Sequence, residues 1–131
     1  MNLSLENQSR SGAESRSYFE SYRHPIDMEH LSTYTMGNKN LEKEVLQLFR
    51  RQSSIYFEKL REAQSMESWS SALRVLKASA RSVGAWRLEM LTAAAEQYAF
   101  RKRSADRLQH LTALSEQIAL ANGYIDMQLQ A

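Results

Sequence analysis

The most specific chemistry that this chain offers lies on one face of a predicted helix. Arg74, Lys77, Ala78 and Arg81 are spaced i, i+3, i+4 and i+7, which places the four side chains on the same side of a helix. Three cations surround a small residue, with no carboxylate among them. A guanidinium presents a planar fork of donors and an ammonium acts as a point charge, so both suit carboxylate or phosphate oxygens. The spacing therefore indicates either an anion-binding face or a basic face that is only solvated.

Nucleophiles and metal ligands are scarce. The 131 residues contain no cysteine, which excludes disulfides, thiolate zinc sites and cysteine nucleophiles. The histidines are His24, His30 and His110, and none falls on the face of Arg74. No two of them have metal-ligand spacing with a third partner, and neither a glycine-rich phosphate loop nor a hydrolase motif occurs. We expect no enzymatic activity, no metal and no cofactor.

The elements that carry this face are predicted to be helices. One proline and four glycines are too few for a strand-and-turn architecture. Residues 1–24, rich in Ser, Asn, Arg and Glu, predict a disordered N-terminal tail. Over 25–131 the apolar periodicity predicts an all-α fold, an up-and-down four-helix bundle with a short extra N-terminal helix. The short helix begins after Asp27 as N-cap, and the longer ones span about 39–64, 67–83, 85–101 and 105 onward.

The second of these helices is apolar over a broad arc. Its predicted buried stripe consists of Leu41, Val45, Leu48, Phe49, Ile55, Tyr56, Leu60 and Ala63. Leu46 and Phe57 lie beside that stripe and widen it. We expect both to pack against a neighbouring helix. The alternative is an exposed patch through which a structural helical bundle would self-associate.

The helix that carries Arg74 also resembles the signature of histidine-containing phosphotransfer (HPt) domains. That signature reads His-x-Leu-Lys-Gly-Ser/Ala-Ser/Ala, with a glycine soon after that ends the helix. The matching positions here are Leu76, Lys77, Ser79, Ala80 and Gly84. Upstream, Ile26-Asp27-x-x-x-Leu31 and Gly37-Asn38-x-x-Leu41-x-x-Glu44-Val45-Leu46-x-x-Phe49 resemble the opening helices of the family, so the resemblance covers about residues 26–125.

Two departures change what the resemblance implies. Arg74 occupies the position of the phosphorylated histidine, and Ala78 the following glycine. A phosphotransfer histidine attacks with a neutral imidazole nitrogen, whereas a guanidinium stays protonated and has no free lone pair. The resemblance thus implies a non-catalytic protein of a two-component phosphorelay. It would bind a response-regulator receiver domain or a sensor histidine kinase through Arg74, Lys77, Ala78 and Arg81.

Two further functions stay open at the level of sequence. The protein could be a phosphocarrier that uses an atypical residue. It could also bind nucleic acid through the cations of the third helix and the basic cluster at 101–103, although a net charge of +2 weighs against this. No apolar stretch approaches the roughly 20 residues that span a bilayer, and the start of the chain lacks a secretory signal. We expect a soluble, cytoplasmic protein without a membrane partner, and favour a monomer.

We predict that no histidine of this chain accepts a phosphoryl group. Incubation with a phosphorylated receiver should leave the protein without acid-labile label, because Arg74 stands at the acceptor position. Phosphate labelling followed by peptide mapping makes the measurement. Label on His24, His30 or His110 would contradict the prediction.

Overall fold

The computed structural model describes residues 24–98 and 104–130, and these form helices without any strand. In chain order the helices are α1 (Met28–Thr35), α2 (Lys39–Glu62), α3 (Met66–Val83), α4 (Trp86–Glu96) and α5 (Ser104–Gln130). The all-helical prediction is therefore confirmed. The predicted tail, residues 1–24, lies outside the described residues except for His24, and the predicted end of α4 near residue 101 is replaced by an end at Glu96.

Local side-chain caps explain where the first three helices begin. Asp27 precedes α1 and accepts from the backbone N–H of His30 at 3.0 Å. Asn38 precedes α2 and accepts from the N–H of Leu41 at 3.1 Å. Ser65 starts α3 through a capping box with Ser68. Each cap satisfies a backbone donor that the first helical turn cannot satisfy itself.

The core is centred on α3. Its buried side chains are Trp69, Ala72, Leu73, Leu76, Ser79, Ala80 and Val83. The indole of Trp69 is fully buried, and its Nε1 donates to the carbonyl of Ala95 on α4 at 3.1 Å. A buried indole needs such an acceptor, so this bond fixes the position of α4 against α3.

The helices pack in a defined set of pairs. α2 and α4 each pack against both α3 and α5, whereas α3 and α5 share at most a marginal contact. Ser79 of α3 donates to Gln52 of α2 at 2.9 Å. Arg107 of α5 donates to the last carbonyls of α2, those of Arg61 and Ala63, at 2.9 and 2.8 Å. The start of α5 is thereby held at the C-terminal end of α2.

The turn between α3 and α4 is closed by a contact with the start of α1. Gly84 ends α3 in the left-handed region, with φ at 71°, and its carbonyl accepts from the N–H of Asp27 at 3.1 Å. The Asp27 carboxylate also accepts from Nε1 of Trp86, the first residue of α4, at 3.0 Å. A Cβ built on Gly84 would lie 2.6 Å from the Cβ of Asp27. Only glycine fits both the dihedral angle and the space.

The buried stripe predicted for α2 is partly wrong. Leu41, Leu48 and Ile55 are exposed to 40%, 45% and 52%, while Leu46 and Phe49 are each exposed to only 2%. The helix is rotated relative to the prediction because it must face α3 on one side and α5 on the other. Leu46 belongs to the core and the half-buried Phe57 packs against it, as expected for these two residues. The alternative self-association patch through Leu46 and Phe57 is therefore not an exposed surface.

We predict that Gly84→Ala destabilises the fold strongly. A non-glycine residue in the left-handed region costs about 1–3 kcal/mol, and the clash with Asp27 adds to that cost. Since about 1 kcal/mol shifts a domain of this size by roughly 4 °C, the melting temperature should fall by roughly 4–12 °C or more. Thermal unfolding followed by circular dichroism provides the measurement.

The control for this variant is Gly123→Ala in the middle of α5. An added Cβ there meets nothing within 4 Å, and alanine is favoured over glycine in a helix by roughly 0.5–1 kcal/mol. This variant should be unchanged or slightly stabilised. Equal losses of stability in both variants would contradict the role assigned to the Gly84 turn.

Candidate functional site

The predicted site residues lie on α3, opposite its buried stripe. Arg74, Ala78 and Arg81 are exposed and Lys77 is half-buried. Because Leu73, Leu76 and Ala80 point into the core, the helix has only this outward orientation for the other side chains. The structure therefore brings the four predicted residues to one face.

Two of the three cations on this face are paired with carboxylates of α4. Nε of Arg81 lies 2.6 Å from Oε2 of Glu89. Nζ of Lys77 lies 3.8 Å from Oε1 of Glu96, with both side chains about one-third exposed. The expectation that no carboxylate stands among the cations holds along α3 alone but not in three dimensions. The charge of the face is therefore smaller than the sequence of α3 suggests.

Arg74 differs from its neighbours in this respect. It is exposed and forms no salt bridge within residues 24–98 and 104–130. Its guanidinium donors point away from the core and are open to an external acceptor. Among the described residues, Arg74 is thus an exposed cation without a carboxylate partner.

Exposed apolar side chains of α2 lie on the side of that helix that faces α3. Gln52 of α2 bonds Ser79 of α3, so the side of α2 that carries Gln52 faces this part of α3. Leu48 precedes Gln52 by four residues and Ile55 follows it by three, which places both on the same side of the helix. We define the α2–α3 face as Arg74, Ala78, Leu48, Gln52 and Ile55. It combines one open cation with two large apolar side chains.

A groove extends from this face toward the α2–α3 turn. It is open to solvent, measures about 800 Å³, and has a floor of small α3 residues, among them Ser71, Ala72 and Val75. On the α2 side it is bordered by Tyr56 and Lys59, whose ammonium lies 4.9 Å from the centre of the Tyr56 ring. Arg74 does not itself line the groove, and the lining residue nearest to it in sequence is Val75.

The histidines lie away from this open cation. Nε2 of His30 donates to the carbonyl of Arg81 at 3.0 Å, and its ring centre is 4.8 Å from that of Trp86. His24 packs against Tyr124 with ring centres 5.4 Å apart. His110 is half-buried, 5.3 Å from the Tyr98 ring. Each imidazole thus has a structural contact of its own.

The described residues include neither a metal-binding cluster nor a helix that could span a membrane. Residues 24–98 and 104–130 contain no group of three or more His, Asp or Glu side chains that could hold a metal ion. None of the helices within these ranges is both long enough and apolar enough to cross a bilayer. The basic cluster at 101–103 lies outside the described residues.

Comparisons with protein-family models, with curated proteins and with solved structures found no match to this chain. The resemblance to HPt domains therefore rests on the matching residues themselves. Of these, Leu76 and Ala80 are fully buried, and Gly84 ends α3 with a positive φ. Their positions are those that such a helix requires, a buried stripe followed by a glycine stop.

Sequence reasoning missed two kinds of residue in the site. Glu89 and Glu96 are seven residues apart and so share one face of α4, a spacing that could have indicated partners for the cations of α3. The exposed Leu48 and Ile55 were assigned to the core. Periodicity alone could not separate them from the true core residues, because α2 is apolar on more than one side.

We predict that the double variant Glu89→Gln with Glu96→Gln binds duplex DNA more tightly than the wild type. Removing the two carboxylates releases Arg81 and Lys77. Each additional phosphate contact should steepen the dependence of log affinity on log salt by about 0.9. Fluorescence anisotropy of labelled DNA in a salt series measures both quantities.

The matched control is Glu29→Gln with Glu44→Gln, which changes two exposed carboxylates of α1 and α2 and gives the same net charge. It should produce only a small, general increase in affinity. Equal gains in the two double variants would show that pairing with α4 does not limit the cations of α3.

Proposed function

We propose that this protein is a non-catalytic adaptor of the HPt type, in which α2 to α5 form an up-and-down four-helix bundle and α1 closes one end. Within a two-component phosphorelay it would bind a receiver domain, or the equivalent surface of a sensor kinase, on the α2–α3 face. It would not carry phosphate itself. The pairwise packing of α2 and α4 against both α3 and α5 supports such a bundle.

The observation that carries the proposal is the isolation of Arg74. The other two cations of α3 are paired with Glu89 and Glu96, which leaves one guanidinium open at the position of the phosphoacceptor. An internal pair lowers the attraction of a cation for an outside anion, because the pair must separate before the new contact forms. A partner that approaches this face therefore meets one strong charge rather than a diffuse basic surface.

Receiver domains offer the matching chemistry. Their active site collects several carboxylates that ordinarily hold a divalent metal ion. A guanidinium can donate to two carboxylate oxygens in parallel, which gives both affinity and orientation. In an active HPt domain a neutral imidazole occupies this position and the phosphoryl group supplies the negative charge. With Arg74 in its place, the bound state would be the unphosphorylated, metal-free receiver.

The apolar part of the face supports an extended contact. Leu48 and Ile55 are each about half exposed, and Ala78 between the helices is too small to obstruct a partner. Apolar side chains that surround a charged anchor exclude water from it and strengthen the pair. A specific interface requires about 800 Å² per partner, and α2 and α3 together, at 24 and 18 residues, are long enough to supply that area.

We predict that Arg74→Ala weakens binding to the partner receiver by about 2–5 kcal/mol, the usual cost of truncating one member of a buried charge pair. Magnesium should compete with wild-type binding, because metal and guanidinium would use the same carboxylates. Titration calorimetry against the receivers of the same cell, with and without magnesium, measures both effects. Unchanged affinity together with no magnesium competition would refute the proposal.

Two further variants separate this contact from a general effect of charge. Lys43→Ala removes an exposed cation on another side of α2 and should leave the affinity nearly unchanged. Ile55→Glu places an acid on the α2–α3 face without disturbing the core, since Ile55 is 52% exposed, and should abolish binding. If Lys43→Ala weakened binding as much as Arg74→Ala, the interaction would be non-specific.

A further inference from the structure

The exposed side of α5 differs in charge from the other long exposed helix of the molecule. Eight of the fourteen exposed residues of α2 are charged, against one of the eleven exposed residues described in α5. That one is Glu116. The remaining charges of the helix include Arg107, which is bonded to the end of α2, and Asp126, which is paired with Arg50. The outer side of α5 therefore carries almost no charge, in contrast to that of α2.

Three large apolar side chains lie on this surface, two at its ends and one between them. Leu108 is 63% exposed, Leu120 52% and Met127 67%. The other exposed residues are mostly small or uncharged, including Thr112, Ser115, Ala119 and Gly123. We refer to the exposed residues of α5 from Leu108 to Met127 as the α5 face. Exposed apolar side chains grouped on one face, with a single charge among them, are typical of an interaction surface.

We infer that the α5 face is where a second copy of this chain binds, with the two α5 helices antiparallel about a twofold axis. A twofold interface must be self-complementary, and the order of side-chain sizes along α5 fulfils this condition. In one register Leu108 lies opposite Met127 of the second copy, Thr112 opposite Gly123, and Ala119 opposite Glu116. Large residues then meet at both ends. In the middle Leu120 lies opposite Ser115, and the small residues around them allow the helices to approach closely.

The dimensions predict a weak dimer. From Leu108 to Met127 the helix rises about 28 Å at 1.5 Å per residue, and a helix is about 10 Å wide. The footprint of one helix on the other is therefore roughly 280 Å², which is smaller than the interfaces of stable complexes, at about 800 Å² per partner. The two Glu116 carboxylates would lie within about one helical turn of the axis, so their repulsion should weaken the pairing.

A membrane surface fits the same face less well. Helices that lie on membranes carry Lys and Arg beside their apolar side to bind anionic headgroups. The exposed part of α5 has neither. The face also lies across the molecule from α3, because α2 and α4 separate the two helices. Pairing through α5 would therefore leave both α2–α3 faces accessible, and the dimer does not depend on the function proposed for them.

Analytical ultracentrifugation of the full chain over a concentration series tests association. We expect the mass to rise from the 15.1 kDa of the monomer toward twice that value. Glu116→Gln should lower the concentration at which this occurs. Leu108→Lys and Met127→Glu should each prevent it, while the double variant should restore it, because the two new charges would then face each other across the axis. Leu48→Glu, on α2, should leave dimerisation unchanged.

Cross-linking tests the register and also captures a weak dimer. The chain has no cysteine, so any disulfide must form between introduced residues. The double variant Thr112→Cys with Gly123→Cys is suitable, because a Cβ built on Gly123 meets nothing within 4 Å. Oxidation should link this variant into dimers faster than the variant Thr112→Cys with Ala119→Cys. In the latter, the second cysteine lies about one helical turn away from the position opposite Thr112. A mass of 15.1 kDa at every concentration, with equal cross-linking of the two variants, would overturn the inference. So would a dimer that Leu48→Glu disrupts and Leu108→Lys does not.

Discussion

The contact between Asp27 and Gly84 determines where three helices meet. Asp27 caps α1, accepts the indole N–H at the start of α4, and donates its backbone N–H to the carbonyl that follows α3. These bonds are possible only because Gly84 has no side chain at the point of closest approach. The end of α3 is thus fixed from outside the helix, and with it the direction in which α3 presents Arg74. The core residue Trp69, bonded to Ala95, holds the other end of the α3–α4 pair.

The net charge of the exposed face of α3 depends on the carboxylates of α4 as much as on the sequence of α3. Glu89 and Glu96 of α4 each stand beside a cation of α3. The pairs are partly exposed, so each contributes little to stability. They leave one guanidinium open on a face whose other prominent side chains are apolar. In the adaptor proposed above, such a face would favour a partner with a concentrated acidic centre over an extended polyanion such as nucleic acid.

Local features of the fold could be predicted from the sequence, and non-local ones could not. The cap at Asp27 and the glycine that ends α3 depend on a few neighbouring residues, and both were predicted correctly. The rotation of α2 depends on which helices flank it, and apolar residues at Leu41, Leu48 and Ile55 suggested a burial that α3 and α5 do not provide. The face of α3 was predicted residue by residue. The carboxylates that pair with it lie on another helix, where spacing along α3 carries no information.

With arginine at position 74, the protein lacks a means of regulation that a histidine there would provide. An imidazole has charged, neutral and phosphorylated forms, so a face built around it can be set and reset by an enzyme. A guanidinium keeps one form under all cellular conditions. A binding face built around it cannot be switched on and off by phosphorylation. The amount of partner that it binds would then depend only on the number of copies present. Control of such a protein would lie in its synthesis and degradation, and the response to its abundance would show a threshold where it becomes equimolar with its target.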